Sequence, residues 1–123
     1  VYDLTRCIEF CRTIDGVNAD SIGIAAREAM GVVALYGGLL DGKCKTVILK
    51  DPPATQDMAS SPDGRGAAIE ILNCLRITDI YQLPALVAPA EIVFIGDMPE
   101  TYKWAEEVLT KLGKKPFTKI NTP

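Results

Sequence analysis

Short apolar runs that alternate with helix-forming segments constrain this chain more than any other feature of its sequence. Three runs extend from Ile22 to Ala25, from Thr46 to Leu49 and from Glu91 to Ile95, and a fourth candidate extends from Pro116 to Ile120. Short continuous apolar runs are typical of strands buried on both faces of a parallel sheet. Strands that alternate with helices form right-handed βαβ units. We therefore predict an α/β fold, a three-layer sandwich with a parallel sheet of about four strands.

Helical spacing of apolar side chains marks the segments between these strands. Five segments carry it, of which the fourth is either helical or irregular: Asp3 to Ile14, Arg27 to Leu40, Ala67 to Leu75, Ile80 to Val87 and Pro99 to Leu112. The stretch from Ala54 to Gly66 is instead rich in Ser, Asp, Gly and Pro. Long polar loops of this kind are functional or disordered, so this loop is a candidate lining for a cleft.

Length and charge limit the class of protein. The chain has 123 residues, of which 48% are hydrophobic and 24% charged, as expected for one globular domain. Its formal net charge is −3 and no stripe of Lys and Arg is present, so we expect no nucleic-acid partner. The apolar runs are far shorter than the ~20 residues that a membrane helix needs, so we expect no membrane span either.

Several kinds of reactive site are excluded by residue type. The sequence contains no His, which removes the commonest general base and any Cys/His zinc site. Cys7, Cys11, Cys44 and Cys74 form no C-x-x-C pair, and we interpret them as buried thiols that act as small hydrophobic side chains. No G-x-G-x-x-G motif follows a strand, so a dinucleotide site has no support. We predict no cofactor and no metal.

The run SIGIAAREAMGVVALYGGLLD, which begins at Ser21, resembles the strand, tight turn and helix that carry the nucleophile in α/β-hydrolases. It is most similar to acetyl xylan esterases and cephalosporin deacetylase-like hydrolases. The preceding DLTRCIEFCRTIDGVNAD resembles the family's upstream helix and loop, and LPALVAPAEIVFIGDMPETYKWAEEVLTKLG resembles its acid-bearing strand and the next helix. The resemblance spans nearly the whole chain but only the C-terminal half of a hydrolase domain. It implies one partial α/β-hydrolase-like domain over residues 1–123, and we expect a longer parent polypeptide.

The resemblance also places the family's catalytic positions on this chain. The family pattern small-x-Ser-x-small falls on Ala26-Arg27-Glu28-Ala29-Met30, so Glu28 stands where the nucleophilic Ser belongs. Met30 stands where a small residue normally lets helix and strand approach each other. The family's catalytic acid corresponds to Asp97, and its His would fall at or beyond Pro123. We therefore assign no catalytic residue and treat Glu28 and Asp97 as degenerate positions.

Each acidic residue at these strand ends also has a structural interpretation. Glu28 would interact with the dipole at the start of the second helix, Asp97 and Glu100 have the spacing of a capping box, and Asp51 would form a turn. Alternatively, Arg27, Glu28, Asp51 and Asp97 bind a ligand, such as a carbohydrate ester, in a cleft at the carboxyl edge of the sheet. A third possibility is that the three carboxylates converge and recruit a hard cation.

Three functions follow from these alternatives. The favoured one is a non-catalytic module of a larger acetyl xylan esterase-like protein, acting in domain packing or ligand binding. The second is a fragment of a carbohydrate esterase or deacetylase whose catalytic groups lie outside this chain. The third is a domain that binds a ligand in the cleft at the carboxyl edge of the sheet. The expected partner is the remainder of the parent polypeptide or a second copy of the chain. It would bind along the strand from Ile22 to Ala25, because the resemblance implies missing neighbours there and no Lys or Pro guards this edge.

Overall fold

A single parallel sheet organises the fold. The structure is a computed structural model, and it describes residues 1–58, 69, 71 and 73–121. Within this part of the chain the strands are β1 (Gly23–Arg27), β2 (Thr46–Lys50), β3 (Glu91–Ile95) and β4 (Thr118–Ile120), in the order β1-β2-β3-β4. The α-helices are α1 (Tyr2–Cys11), α2 (Met30–Asp41), α3 (Leu83–Leu86) and α4 (Lys103–Lys111). The predicted α/β fold with a four-stranded parallel sheet is confirmed.

The core lies against the sheet face that carries Val47 and Leu49. Parallel register places Val47 beside Ile92 and Leu49 beside Phe94, and all four side chains are buried. Helix α2 approaches this face so closely that a Cβ added at Gly38 would lie 3.2 Å from the Val47 Cγ2 atom. Strands with alternate side chains on one packed face bury their apolar surface this way, and the helices cover it.

Aromatic rings extend the core toward α4. The ring centroids of Phe94 and Tyr102 are 5.3 Å apart at 77°, and those of Phe94 and Phe117 are also 5.3 Å apart. Edge-to-face pairs of this kind contribute about 0.5–1.5 kcal/mol beyond their buried area. The chain from β3 to β4 is therefore held on the same face of the sheet as α2.

The first two helices are shorter than predicted. Helix α1 ends at Cys11 instead of Ile14, and the chain then turns toward Gly16, which has a left-handed φ of 85°. Helix α2 begins at Met30 instead of Arg27, because Arg27 is still paired with Lys50 as the last residue of β1. Helical periodicity does not mark such ends, which depend on backbone pairing with a distant strand.

The second half of the chain follows the prediction more closely. Strand β3 has the predicted bounds, and the predicted helix from Pro99 to Leu112 forms as a 3-10 turn (Glu100–Tyr102) that continues into α4. The segment from Ile80 to Val87 is a 3-10 turn (Ile80–Gln82) followed by α3. Of the polar loop at residues 54–66, residues 59–66 lie outside the described residues.

The helix predicted from Ala67 to Leu75 is not formed in its described part. Ile69 and Ile71 belong to no helix, and a short 3-10 turn (Cys74–Arg76) replaces the end of the predicted one. Asn73 precedes that turn with a left-handed φ of 62°, a conformation that interrupts a right-handed helix. Residues 67, 68, 70 and 72 lie outside the described part of the chain.

The prediction that all four cysteines are buried is wrong. Only Cys44 is buried, whereas Cys7 is exposed and Cys11 and Cys74 are partly exposed. Burial raises the pKa of the Cys44 thiol, which lies 3.2 Å from the carbonyl oxygen of Thr46. Cys7 and Cys11 lie on α1. This helix packs on the outside of α2, so the other side of α1 faces solvent. In the described part of the chain no helix has the length and apolar character needed to cross a membrane.

Candidate functional site

A sharp turn joins β1 to α2 and presents Glu28 at its apex. Glu28 has a left-handed φ of 52°, which costs a residue with a side chain about 1–2 kcal/mol. Its N–H donates to the Lys50 carbonyl (2.9 Å), and its carbonyl accepts from the Gly31 N–H (2.9 Å), so both backbone groups are satisfied. The side chain is exposed. A strained strand-to-helix turn that exposes one side chain is the geometry in which α/β-hydrolases hold their nucleophile.

Met30 does not obstruct this turn. Its side chain is 58% exposed, so it points away from the packed interior. The close approach occurs instead at Gly31, where an added Cβ would lie 3.3 Å from the Pro52 Cβ atom. The small residue that the turn requires is thus one position later than the family pattern implied.

Left-handed residues follow each of the first three strands at the carboxyl edge of the sheet. They are Glu28 (φ 52°), Asp51 (φ 48°) and Gly96 (φ 79°), which come directly after β1, β2 and β3. Because the last residues of these strands are in register, the three turns lie side by side. The carboxyl edge is where open parallel sheets place their binding sites.

Three of the four predicted ligand-binding residues come together at this edge. The Arg27 Nε atom lies 3.1 Å from a Glu28 carboxylate oxygen and 3.8 Å from an Asp51 carboxylate oxygen. All three side chains are about half exposed or more, so the ion pairs are weak and screened by solvent. The cluster presents two carboxylates and one guanidinium, groups that accept and donate hydrogen bonds to sugar hydroxyls.

Asp97 is not part of this cluster. It follows Gly96 beyond β3, two strands from Glu28, and neighbouring strands are ~4.8 Å apart. Among the described residues no group of three His, Cys, Asp or Glu side chains lies close enough to hold a metal ion. Glu28, Asp51 and Asp97 therefore do not form the shared cation site considered above.

The capping box suggested for Asp97 and Glu100 is wrong. The 3-10 turn before α4 begins at Pro99 without any side-chain cap, and Glu100 instead accepts from Lys103 (2.6 Å). The N-cap residue of α2 is Ala29, which provides no side-chain cap, and Glu28 directly precedes it with its carboxylate paired to Arg27. Pro99 and Ala29 occupy the two N-cap positions, and neither side chain has an oxygen that could accept from the helix N–H groups.

Asp79 and Gln82 form a capping box that the sequence analysis missed. The Asp79 carboxylate accepts from the Ile80 N–H (2.6 Å), and Gln82 Oε1 accepts from the Asp79 N–H (2.9 Å). The same carboxylate accepts from the Gln56 N–H (2.7 Å) and from the Thr55 hydroxyl. The D-x-x-Q spacing is the capping-box pattern, so this pair could have been found. Its bonds to residues 55 and 56 have no local sequence signal.

This network anchors the segment that follows β2 across the carboxyl edge. Gln56 is only 2% exposed, and its side chain accepts from the Tyr36 hydroxyl (3.0 Å) and donates to the Ile69 carbonyl (2.8 Å). The Tyr102 hydroxyl donates to the Pro53 carbonyl (3.0 Å). Buried polar groups that are fully paired specify one conformation, so residues 52–57 are held firmly beside Glu28 and Asp51.

Neither Tyr36, which is partly buried, nor Tyr102, which is buried, can act as a base at neutral pH. Burial is the main cause that raises the pKa of Tyr36 to about 12, and burial also raises the pKa of Tyr102. Both hydroxyls are committed as donors, Tyr36 to Gln56 and Tyr102 to Pro53. General-base catalysis needs a group with a pKa near the working pH, which these tyrosines are far from.

Comparison with protein-family models, with curated proteins and with solved structures finds no match to this chain. The local geometry around Glu28 and the residue types that surround it are therefore what bears on function. A fold class by itself does not assign a function, because one fold supports many chemistries.

Proposed function

We propose that this chain is a non-catalytic α/β-hydrolase-like module of a larger, acetyl xylan esterase-like protein, and that it acts by packing against other parts of that protein. One observation carries the proposal. Glu28 occupies the apex of a left-handed strand-to-helix turn, the place of a hydrolase nucleophile, in a chain that contains no His.

The chemistry of ester hydrolysis argues against activity at this turn. A carboxylate that attacked an acetyl ester would form a mixed anhydride, which an activated water would then have to cleave. That second step needs a base, and the sequence offers no His for it. The Glu28 carboxylate is itself paired with Arg27, which lowers its nucleophilicity. The turn has therefore kept its shape without its reactive groups.

The packing role is supported by the position of β1. Strand β1 is at one edge of the described sheet and pairs there only with β2. The Ile22 carbonyl accepts from the Lys45 N–H, and the Glu28 N–H donates to the Lys50 carbonyl, so the backbone groups of these residues point toward β2. The direction of the backbone N–H and C=O groups alternates along a strand. Those of Gly23, Ala25 and Arg27 therefore point away from β2, to the open edge. An edge of this kind adds a further strand readily.

A direct assay tests the proposal. The purified chain should hydrolyse small acetyl esters no faster than buffer does, because nucleophile and base are both missing. The wild type is compared with Glu28→Gln, which removes the carboxylate, and with Glu100→Gln, which neutralises an exposed glutamate that pairs with Lys103. All three proteins should give the same background rate.

Two other outcomes would contradict this expectation in different ways. Turnover that survives Glu28→Gln would mean that the reacting groups lie elsewhere in the chain. Turnover lost in Glu28→Gln but kept in Glu100→Gln would establish a carboxylate nucleophile. If the chain gains Glu28-independent activity only when joined to its flanking polypeptide, then it is a fragment of a working esterase.

A further inference from the structure

A groove of about 320 Å³ lies at the amino edge of the sheet, opposite the turn at Glu28. Its walls are the residues that lead into β2 and β3 and the loop between α4 and β4. The Glu91 N–H donates to the Lys45 carbonyl (2.9 Å), and the Lys114 N–H donates to the Leu109 carbonyl (2.9 Å). These bonds hold the walls in place. The volume is at the lower end of the range for small-molecule sites.

The rim of the groove is cationic. Lys45, Lys114 and Lys115 line it together with one acidic residue, Glu91, which leaves a net charge of +2 on a chain whose overall charge is −3. Glu91 Oε1 accepts from the Lys115 ammonium (2.8 Å) and from the Thr118 hydroxyl (2.8 Å), so one lysine is already neutralised. Lys45 and Lys114 have no ion-pair partner in the described part of the chain.

The floor of the groove is apolar. The apolar lining consists of Leu109, Phe117 and Ile92, which are buried, together with Ala88 and Pro89. An apolar floor favours a ligand with a hydrocarbon or aromatic body, and two lysines without ion-pair partners favour an anionic end. A strongly hydrated inorganic anion would gain no binding free energy from the apolar lining. A neutral hydrocarbon would gain none from the lysines.

We propose that this groove binds a small amphiphilic carboxylate, with its anionic group between Lys45 and Lys114 and its apolar body against Phe117 and Leu109. The site is separate from the turn at Glu28, so it does not depend on the hydrolase-like assignment. Its failure or success leaves the esterase assay unaffected.

A titration followed by NMR tests the site with naphthalene-2-carboxylate as the probe. We expect saturable shifts of the Lys45, Glu91 and Phe117 amides, with a dissociation constant on the order of 1 mM, as is usual for a ligand of about 13 non-hydrogen atoms. The double variant Lys45→Ala/Lys114→Ala should weaken binding by about four- to twenty-fivefold, since each exposed ion pair is worth about two- to fivefold. Higher salt should weaken it as well.

Three controls make the result decisive. Lys111→Ala, on α4 outside the groove, should bind the probe as the wild type does, and thermal unfolding of every variant confirms that the fold is kept. Naphthalene-2-carboxamide should bind several-fold more weakly than the carboxylate, and inorganic phosphate should cause no saturable shifts. Equal binding of the carboxamide, equal binding of phosphate, shifts located elsewhere, or no effect of the double variant would each overturn the proposal.

Discussion

At the scale of single residues, the left-handed conformation of Glu28 strains the turn between β1 and α2. Two backbone hydrogen bonds offset the cost of that conformation: the Glu28 N–H donates to the Lys50 carbonyl, and the Glu28 carbonyl accepts from the Gly31 N–H. Gly or Asn would occupy the position more easily, so glutamate stands there against the local conformational preference. Strain of this kind clusters at functional sites, which makes the turn a candidate for one.

Because Glu28 is left-handed, Gly should be more stabilising than Ala at this position, the reverse of their order in a helix. Glu28→Gly should be more stable than Glu28→Ala by about 0.5–1 kcal/mol, because relief of about 1–2 kcal/mol of left-handed strain outweighs the extra unfolded-state entropy of Gly, about 0.5–1 kcal/mol. The matched pair is Glu107→Gly and Glu107→Ala in the exposed face of α4, where Ala should be the more stable by about 1 kcal/mol. Urea unfolding measures all four. If Ala is the more stable residue at both sites, Glu28 is not left-handed in solution.

At the scale of elements, the capping box formed by Asp79 and Gln82 does more than begin a short helix. The Asp79 carboxylate also fixes Thr55 and Gln56, so one side chain connects the segment after β2 with the start of the helix before β3. Segments without regular structure keep one conformation when side chains satisfy their backbone groups. This explains how residues 52–57 cross the sheet edge in an ordered path.

Loss of that carboxylate should be costly. Asp79→Ala removes the acceptor of three donors and should lower the free energy of unfolding by about 2–3 kcal/mol, because the Gln56 and Ile80 N–H groups are left partly buried without partners. Asn18→Ala removes an exposed cap on a 3-10 turn and should cost only about 0.5–1 kcal/mol. Urea unfolding compares the two. Similar small losses for both variants would mean that the Asp79 network contributes nothing beyond an ordinary cap.

At the scale of the whole molecule, the described sheet has an open edge at β1. The strand is short, its outward residues include Gly23 and Ala25, and its interior carries neither Lys nor Pro. Exposed edges are normally blunted by charge, by proline or by a covering element. The sheet is therefore expected to accept a further strand at this edge, and a second copy of the chain can supply one.

The isolated chain should consequently self-associate at micromolar concentration, most simply as a two-fold dimer through β1. Sedimentation velocity across a dilution series measures this. Ala25→Pro removes an outward N–H and should shift the chain to monomer, whereas Ala25→Val keeps the donor and should associate as the wild type does. A wild-type chain that stays monomeric, with an Ala25 amide that exchanges as slowly as those of β2, would show that the edge is already covered.

The sequence alone determined the architecture, because buried parallel strands and amphipathic helices are local patterns of apolar residues. The strands from Thr46 to Leu49 and from Glu91 to Ile95 were predicted to within one residue. The helix bounds at Ile14 and Arg27 were wrong, because they depend on where the chain leaves a helix or a neighbouring strand. The position of Glu28 at a turn was predicted, but its left-handed conformation was not, since no residue type there requires it.

Only the tertiary structure decided which polar groups meet. Arg12 and Asp41 are 29 residues apart and form a nearly buried pair with two contacts of 2.5 and 2.8 Å, which lowers the pKa of the Asp41 carboxyl. Asp79 reaches Thr55 across 24 residues, and Lys45 and Lys114 line one groove. Apolar burial depends on residue type and spacing, which are written along the chain. Hydrogen bonds and ion pairs instead require two specific atoms within about 3 Å, and that distance exists only once the sheet and its helices have assembled.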